Sequence, residues 1–594
     1  MRKFLRSFVV FVTGALVLGL VAPVAGQGGL LKFSAKDCSY GGEIKSIEAT
    51  DASTVVFTLC NPDPAFPSKA AFSAFDIHEA AQLNSTGGGG DALLSNPIGT
   101  GPYKLAKWDR GNEMDFVANE NYRGTAPLAK NLVVKWNKDA TARWNELQAG
   151  TVDGIEYVAP GDLAAIQANS DFKLYPIPPQ NILYLGMNNT VKPFDNKLVR
   201  QAVAHAIDKK RLIDNFYPAG SVAADQFMPP TIFGNTPGSK TNNFDLAMAK
   251  DLMKQAGVTL PITTTLSYRE NVRPYLPQPG VIAQDIQAQL KQIGINVTLD
   301  VKETSALFDA QAKGQLSMQL IGWGADYPDA TDFMDYHFGK GSPKFFGDHD
   351  PKLEDLISKA GQLSDPAARL ALYKQANDEL ADFVPVVPVA FGANAHAFKA
   401  PITGAYGNPF SGIQFALLGK PGSGPLVWMQ AGEPVGMYCN DESDGETLDI
   451  CEQVNEALLS FKPGTGIVAP GVASLPTSNA DATQYTFKLI PGIKFSDGTA
   501  VTANDAVLSW DVEWDASSPL HKGHTGTFDY FSGFFNGFLN PPPTATPAPP
   551  AATAAAPAAA PATKAATAAP TMAPTMSGTM GTGTPAATMA PTAS

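Results

Sequence analysis

Cysteine is scarce, four in 594 residues, and no C-x-x-C pair occurs among them. That speaks against a zinc knuckle. Histidine is also sparse, seven in all. The nearest approach to a ligand pair, His521 and His524, has no Cys or carboxylate beside it and reads as solvated loop. No G-x-S-x-G, no H-E-x-x-H and no Cys–His nucleophile arrangement appears, so no enzyme is expected. Charge is modest at 17% and its balance is acidic, net −13. An acidic, well-mixed surface excludes nucleic acid as a partner. The apolar run over 8–21 is short for a membrane span. No Cys stands near its end, so a lipoprotein anchor is not expected.

What is present begins with export. Arg2, Lys3 and Arg6 precede that run, and Val24-Ala25-Gly26 offers small residues for cleavage, so 1–26 reads as a signal peptide. The protein is then expected in the periplasm or at the outer face of the cell envelope. An even cysteine count in an exported chain predicts two short-range disulfides, Cys38–Cys60 and Cys439–Cys451. The first flanks a predicted hairpin over 43–59, and the second flanks an acidic loop.

The body of the chain is long enough for more than one domain. Residues 28–175 read as mixed strand and helix, with strands over 116–122 and 132–136 and a helix over 139–150 capped by Asp139. From 176 to 395 strands and helices alternate, which predicts a largely parallel sheet. Asp195 is expected to open a helix. Helices over 244–257 and 282–293 should stop at Gly257 and Gly294. Within this region Leu316 to Ile321 reads as a buried strand, and Gly322, Gly324 and Tyr327-Pro328 as the loop that ends it. Residues 419–425 form a linker by composition. Folded sequence resumes over 426–540, with a strand at 485–489 and a helix that Thr502 caps. The Pro/Ala/Thr stretch 541–594 cannot bury enough apolar surface to fold and reads as a disordered tail.

Three motif groups carry a resemblance. Pro97-Ile98-Gly99-Thr100-Gly101-Pro102-Tyr103 forms one turn. Pro193-Phe194-Asp195 precedes Val199-Arg200-Gln201-Ala202 and Ala206-Ile207-Asp208. Tyr485 to Asp505 carries Y-T-F-x-L and F-x-D-G followed by T-A-x-D. Together they resemble the dipeptide- and oligopeptide-binding family of solute-binding proteins, family 5, which serves ABC importers. The resemblance implies an α/β, two-lobed periplasmic-binding-protein-like fold of class II, the large peptide-binding type, with a hinge between lobes. One lobe would combine 28–178, 392–418 and 426–540; the other would be 179–391. The hinge is expected near 182–188 and 387–391. In the family the segment like 426–540 comes first, so this chain resembles a circular permutation; an engineered or assembled chain would read the same. Leu30 and Leu539 would then be neighbours in space.

The resemblance also implies a site. Gly322-Trp323-Gly324-Ala325-Asp326 is similar to the family's G-W-x-x-D segment, whose Asp receives a peptide amine. Arg273-Pro274-Tyr275 is similar to the R-P-Y segment of the dipeptide-binding branch, whose Arg receives the peptide carboxylate. Arg holds a carboxylate bidentately, as Lys cannot. Tyr275 and Trp323 would wall the pocket, Arg269 is a rival for Arg273, and Asp329 is expected to stabilise the turn before Thr331. Tyr438 and Asp441 fall near the cleft border, but too little local pattern remains to give them roles. The function implied is capture of short peptides by cleft closure and delivery to an ABC permease and, through it, an ATPase. The protein would act as a monomer with no cofactor and no metal. An oligosaccharide, a nickel or haem chelate, a secreted hydrolase and a wall-attached adhesive protein are the alternatives.

Overall fold

Strand Leu426–Gln430 follows the glycine-rich stretch 419–425 and enters the middle of a seven-stranded sheet. It pairs in parallel with Asn131–Trp136, Leu426 opposite Leu132 and Gln430 opposite Trp136, and on its other edge with Gly154–Ile155. Asp153 fixes this entry. Its carboxylate accepts from Lys420 Nζ at 2.6 Å and from the Val427 amide at 2.9 Å. The computed structural model describes residues 29–408, 410 and 412–541. The expected signal peptide and all but Pro541 of the expected tail lie outside the described residues.

A five-stranded sheet mixes early and late chain in the same way. Gln484–Lys488 pairs antiparallel with Thr54–Leu59, which forms the expected hairpin with Ile44–Asp51. The Cys38–Cys60 disulfide closes that hairpin, and Cys439–Cys451 is formed as well. Helix Ala503–Trp514 lies against the hairpin, opened by a reciprocal capping box between Thr502 and Asp505. Its Trp510 packs against Phe57 at 4.8 Å and Phe75 at 5.0 Å between ring centroids. Apolar burial on this scale is the main favourable term in folding. Leu31 N donates to Asn504 near the helix start, while Leu539 N donates to Trp514 O at its end. The two expected neighbours, Leu30 and Leu539, are therefore held at opposite ends of a twelve-residue helix, about 18 Å long.

The six-stranded sheet runs in the order Val222–Ala223, Val386–Phe391, Asn181–Met187, Met318–Gly324, Ile262–Tyr268, Ile295–Val301. It is mixed where a largely parallel sheet was expected. Ile262–Tyr268 is parallel to both of its neighbours. Asn181–Met187 is antiparallel to both of its own. Asn181–Met187 brings the chain in from the seven-stranded sheet and Val386–Phe391 leads it back, and adjacent incoming and outgoing strands must run in opposite senses.

Helices form where the sequence punctuates them. Asp139 caps Ala140–Ala149, and Leu246–Ala256 ends at Gly257 with φ of 66°. Asn196, one residue after the expected Asp195, caps Lys197–Ala206. Pro279 occupies the first turn of Pro279–Lys291, where its missing N–H costs nothing.

The chain passes between the two large sheets twice, at 178–180 and at 392–393. The segments expected to form the hinge are buried strands of the six-stranded sheet, and the crossings lie just outside them. Asn181 ties the crossings together: Nδ2 donates to Gly392 O at 2.7 Å and Oδ1 accepts from Gly392 N at 2.9 Å. Both groups are buried, so truncation leaves an amide and a carbonyl unpaired. Asn181→Ala is expected to destabilise the protein by about 1–3 kcal/mol, read as a lowered urea midpoint with an unchanged slope.

Candidate functional site

Strand Met318–Gly324 continues through the two glycines that were expected to end it. Gly322 pairs with Leu183 and Trp323 with Ile182 of the neighbouring strand. The ladder with Asn181–Met187 overrides the local turn signal. Gly322 is needed for a second reason: a Cβ there would stand 2.4 Å from the Tyr275 ring and 2.2 Å from Ile182 O. The strand thus delivers Trp323 and Asp326 to a cavity of about 150 Å³, which Arg273 and Tyr275 also line. The structure therefore gathers all four expected site residues around one space. A second space of about 400 Å³ shares Phe308, Ser443 and Asp529 with the first.

Trp323 stacks on Tyr336 with centroids 4.1 Å apart, and its Nε1 donates to Asp332 Oδ1 at 3.0 Å. Asp332 Oδ2 accepts from the Asp326 amide at 2.9 Å. The Asp326 side chain is buried, and its Oδ2 has no hydrogen-bond partner among the described residues. Gln180 Oε1, lining the same cavity, is likewise without one. Burial, then the neighbouring Asp332 carboxylate, hold the Asp326 carboxyl well above the usual range. Burial pushes Asp332 up to about 7 against the hydrogen bonds that favour its ionised form.

Arg273 closes a tight turn with Leu276 through reciprocal backbone hydrogen bonds. Its guanidinium is buried and already engaged: Nη1 and Nη2 donate to the two carboxylate oxygens of Glu446, and Nη2 lies 3.2 Å from Asp444 Oδ1. Arg269 takes the same Asp444 oxygen at 2.8 Å and lies over the Phe308 ring. Burial alone would raise the Asp444 carboxyl, but Arg269 and Arg273 outweigh it and hold it below its ordinary value. The two arginines follow strand Ile262–Tyr268 of the six-stranded sheet. The two carboxylates follow strand Leu426–Gln430 of the seven-stranded sheet. The cluster therefore joins the two sides of the cavity.

Asp329 caps helix Ala330–Phe338 at Thr331, as expected, and is also held by Arg369 at 2.8 Å. Tyr438 is fully buried beside His78, away from the cavity. Asp441 gathers the amides of Thr525, Gly526 and Phe528 and organises that loop. His524, expected as a solvated loop residue, pairs with Glu442 at 2.8 Å. Sequence reasoning did not single out Gln180, Asp332, Asp444 or Glu446. The one signal for the last two was the acidic loop between Cys439 and Cys451.

A cavity walled by stacked aromatics and charged groups, between two sheets that the chain crosses twice, defines a ligand-binding protein. The chain belongs to the bacterial extracellular solute-binding proteins, family 5, whose family pattern matches residues 23–345 and 468–529. It is 29% identical over 373 residues to heme-binding protein A of Haemophilus influenzae, covering 62% of this chain and 68% of that protein. It is 30% identical over 383 residues to a dipeptide-binding protein of Pseudomonas aeruginosa, covering 63% and 72%. Among solved structures it resembles the periplasmic binding protein DppA of Helicobacter pylori in complex with the peptide STSA, at TM-score 0.58 and 27% identity, over 61% of this chain and 72% of that one. These are non-enzymatic proteins, and the fold is the class II α/β binding-protein fold. Among the described residues no helix is long and apolar enough to cross a membrane.

The Asp326–Asp332 pair makes stability depend on pH. A carboxyl raised in the folded state binds its proton more tightly there than when unfolded, so stability falls as pH rises from about 4 towards 7. Asp332→Asn is expected to flatten that slope, measured as urea-unfolding free energy at pH 4, 5, 6 and 7.

Proposed function

We propose that the protein captures short peptides by their ammonium end in this cavity and delivers them to an ABC import permease and its ATPase. The observation that carries this reading is the pair of buried, unpartnered acceptors, Asp326 Oδ2 and Gln180 Oε1, in one aromatic-walled space. An unmatched buried acceptor is costly, and an ammonium offers three donors to such groups. Asp326 receives the ammonium and Trp323 and Tyr275 wall the peptide, while Arg273, expected as the basic partner for its carboxylate, is paired with Glu446. The larger adjoining space has room for side chains, within the range of small-molecule pockets, about 300–1,000 Å³.

Dipeptide and di/tripeptide-binding proteins recur among the relatives, and the Helicobacter pylori neighbour holds a tetrapeptide. A haem ligand, as the name of the Haemophilus influenzae relative states for that protein, lacks the ammonium that these acceptors await. Nor does a stacked sugar suit Trp323, whose ring stacks on Tyr336 and whose N–H is taken by Asp332.

In this reading 28–178, 392–418 and 426–540 form one lobe and 179–391 the other, and the crossings joined by Asn181 and Gly392 act as the hinge. The ligand favours closure only by binding the closed form more tightly. The exchanged order of the segments, a circular permutation, is supported by the central position of strand Leu426–Gln430, which the exposed stretch just before it connects without disturbing either sheet. Export and residence outside the cytoplasm follow from the family and from the signal-like start.

Calorimetry with dipeptides, tripeptides, cello-oligosaccharides and hemin tests the assignment. Asp326→Asn is expected to weaken peptide binding at least tenfold, about 1.4 kcal/mol. Sugar or hemin binding that this substitution leaves unchanged, with no peptide binding, would sink the peptide reading.

A further inference from the structure

The guanidinium that a peptide carboxylate would seek is already occupied by a carboxylate of the protein itself. Glu446, on a helix whose Gly445, Leu448 and Asp449 line the cavity, meets Arg273 through both oxygens, and both side chains are almost fully buried. Asp444 takes a further position on Arg273 and pairs Arg269, the rival cation. The lining thus holds two arginines, and neither is without a carboxylate partner.

We propose that Glu446 is a specificity-determining residue, an internal stand-in for the ligand carboxylate, which makes recognition depend on the ammonium end and indifferent to a free C-terminus. The inference rests on the peptide reading of the same cavity and narrows its ligand class to amine-bearing peptides, including those whose C-terminus is blocked or lies beyond Arg273.

The physical argument is one of exchange. A carboxylate arriving at Arg273 gains a bidentate, charge-assisted contact. It gains this only by breaking an equivalent one, so the net return is small. The displaced Glu446 fares worse. The charged neighbours that bear on it besides Arg273 are Asp444, Glu156 and Arg269. Two of these are carboxylates, and Arg269 is already bound to Asp444. A buried carboxylate without a partner is strongly unfavourable. Nor can Glu446 swing freely. It sits in the first turn of helix Gly445–Val454, which the Cys439–Cys451 disulfide and the Asp444–Thr447 backbone hydrogen bond hold in place. At the ammonium end the balance is opposite, because Asp326 Oδ2 and Gln180 Oε1 have no cationic side chain to release.

The test is calorimetry with alanyl-phenylalanine and its C-terminal amide, on the purified chain and on Glu446→Gln. In the unaltered protein the acid and the amide are expected to bind within about threefold of each other. Glu446→Gln removes the carboxyl that competes for both Arg273 Nη atoms, so the acid should gain at least tenfold while the amide stays within threefold. An unchanged acid-to-amide ratio in the variant overturns the inference alone, since peptide binding itself would stand. Failure of both probes to bind either protein overturns the peptide reading and this inference with it. Should Glu446→Gln not fold, the unaltered protein decides: near parity supports the proposal, and a preference of thirtyfold or more for the acid overturns it.

Discussion

Four buried charges hold the two sides of this protein against each other. Arg269 and Arg273 project from one sheet's side, Asp444 and Glu446 from the other, and each is nine-tenths or more out of water. Removing one partner of such a cluster costs about 3–5 kcal/mol, because the other charge stays buried and alone. Separating the sides has a milder consequence, since all four can then meet water. The cluster therefore favours contact between the sides while leaving separation feasible, which is the behaviour a closing cleft requires.

That arrangement depends on where the late segment sits in the sheet. Asp444 and Glu446 lie beyond the stretch 419–425, in a segment whose strand Leu426–Gln430 is the central member of the seven-stranded sheet. Without that strand Asn131–Trp136 and Gly154–Ile155 would lose the partner between them. The disulfide within this segment links the loop at Cys439 to that helix. Position in the sheet and position of the carboxylates are one constraint.

Much of this was legible from the residues. Caps and stops at Asp139, Gly257 and Thr502 and the hairpin under Cys38–Cys60 follow local chemistry, and the structure places them as expected; Asp326 is singled out only by the resemblance. What escaped was set by long-range partners. Strand Met318–Gly324 runs through two glycines because a neighbouring strand pairs with them. The mixed sheet arises from two crossings more than 200 residues apart, tied by one hydrogen-bonded pair. The Arg273–Glu446 contact spans 173 residues. No window of sequence reports it, and the acidic loop reads only as the stretch that Cys439 and Cys451 flank. Asp332 hid for the opposite reason: it lies close to Trp323 in sequence, but an Asp in a helix's first turn has an ordinary explanation.

With the arginines paired internally, the other charged side chains that line the cavity are acidic. Burial raises Asp326, raises Asp449, and pushes Asp529 up to about 7. Like-charged neighbours add to each shift. Burial makes each of these groups easier to protonate than in water, and a protonated carboxyl has less to offer a cation than an ionised one. In the proposed reading an arriving ammonium would reverse that balance, favouring the ionised form of the carboxyl it meets. On that reading ligand entry and carboxyl ionisation would be linked. The same desolvation that makes Asp326 costly when alone makes its bond to a cation strong, so the site can discriminate a charged amine from a neutral group of equal size. That selectivity needs nothing from the arginines, whose charges are spent on holding the sides together.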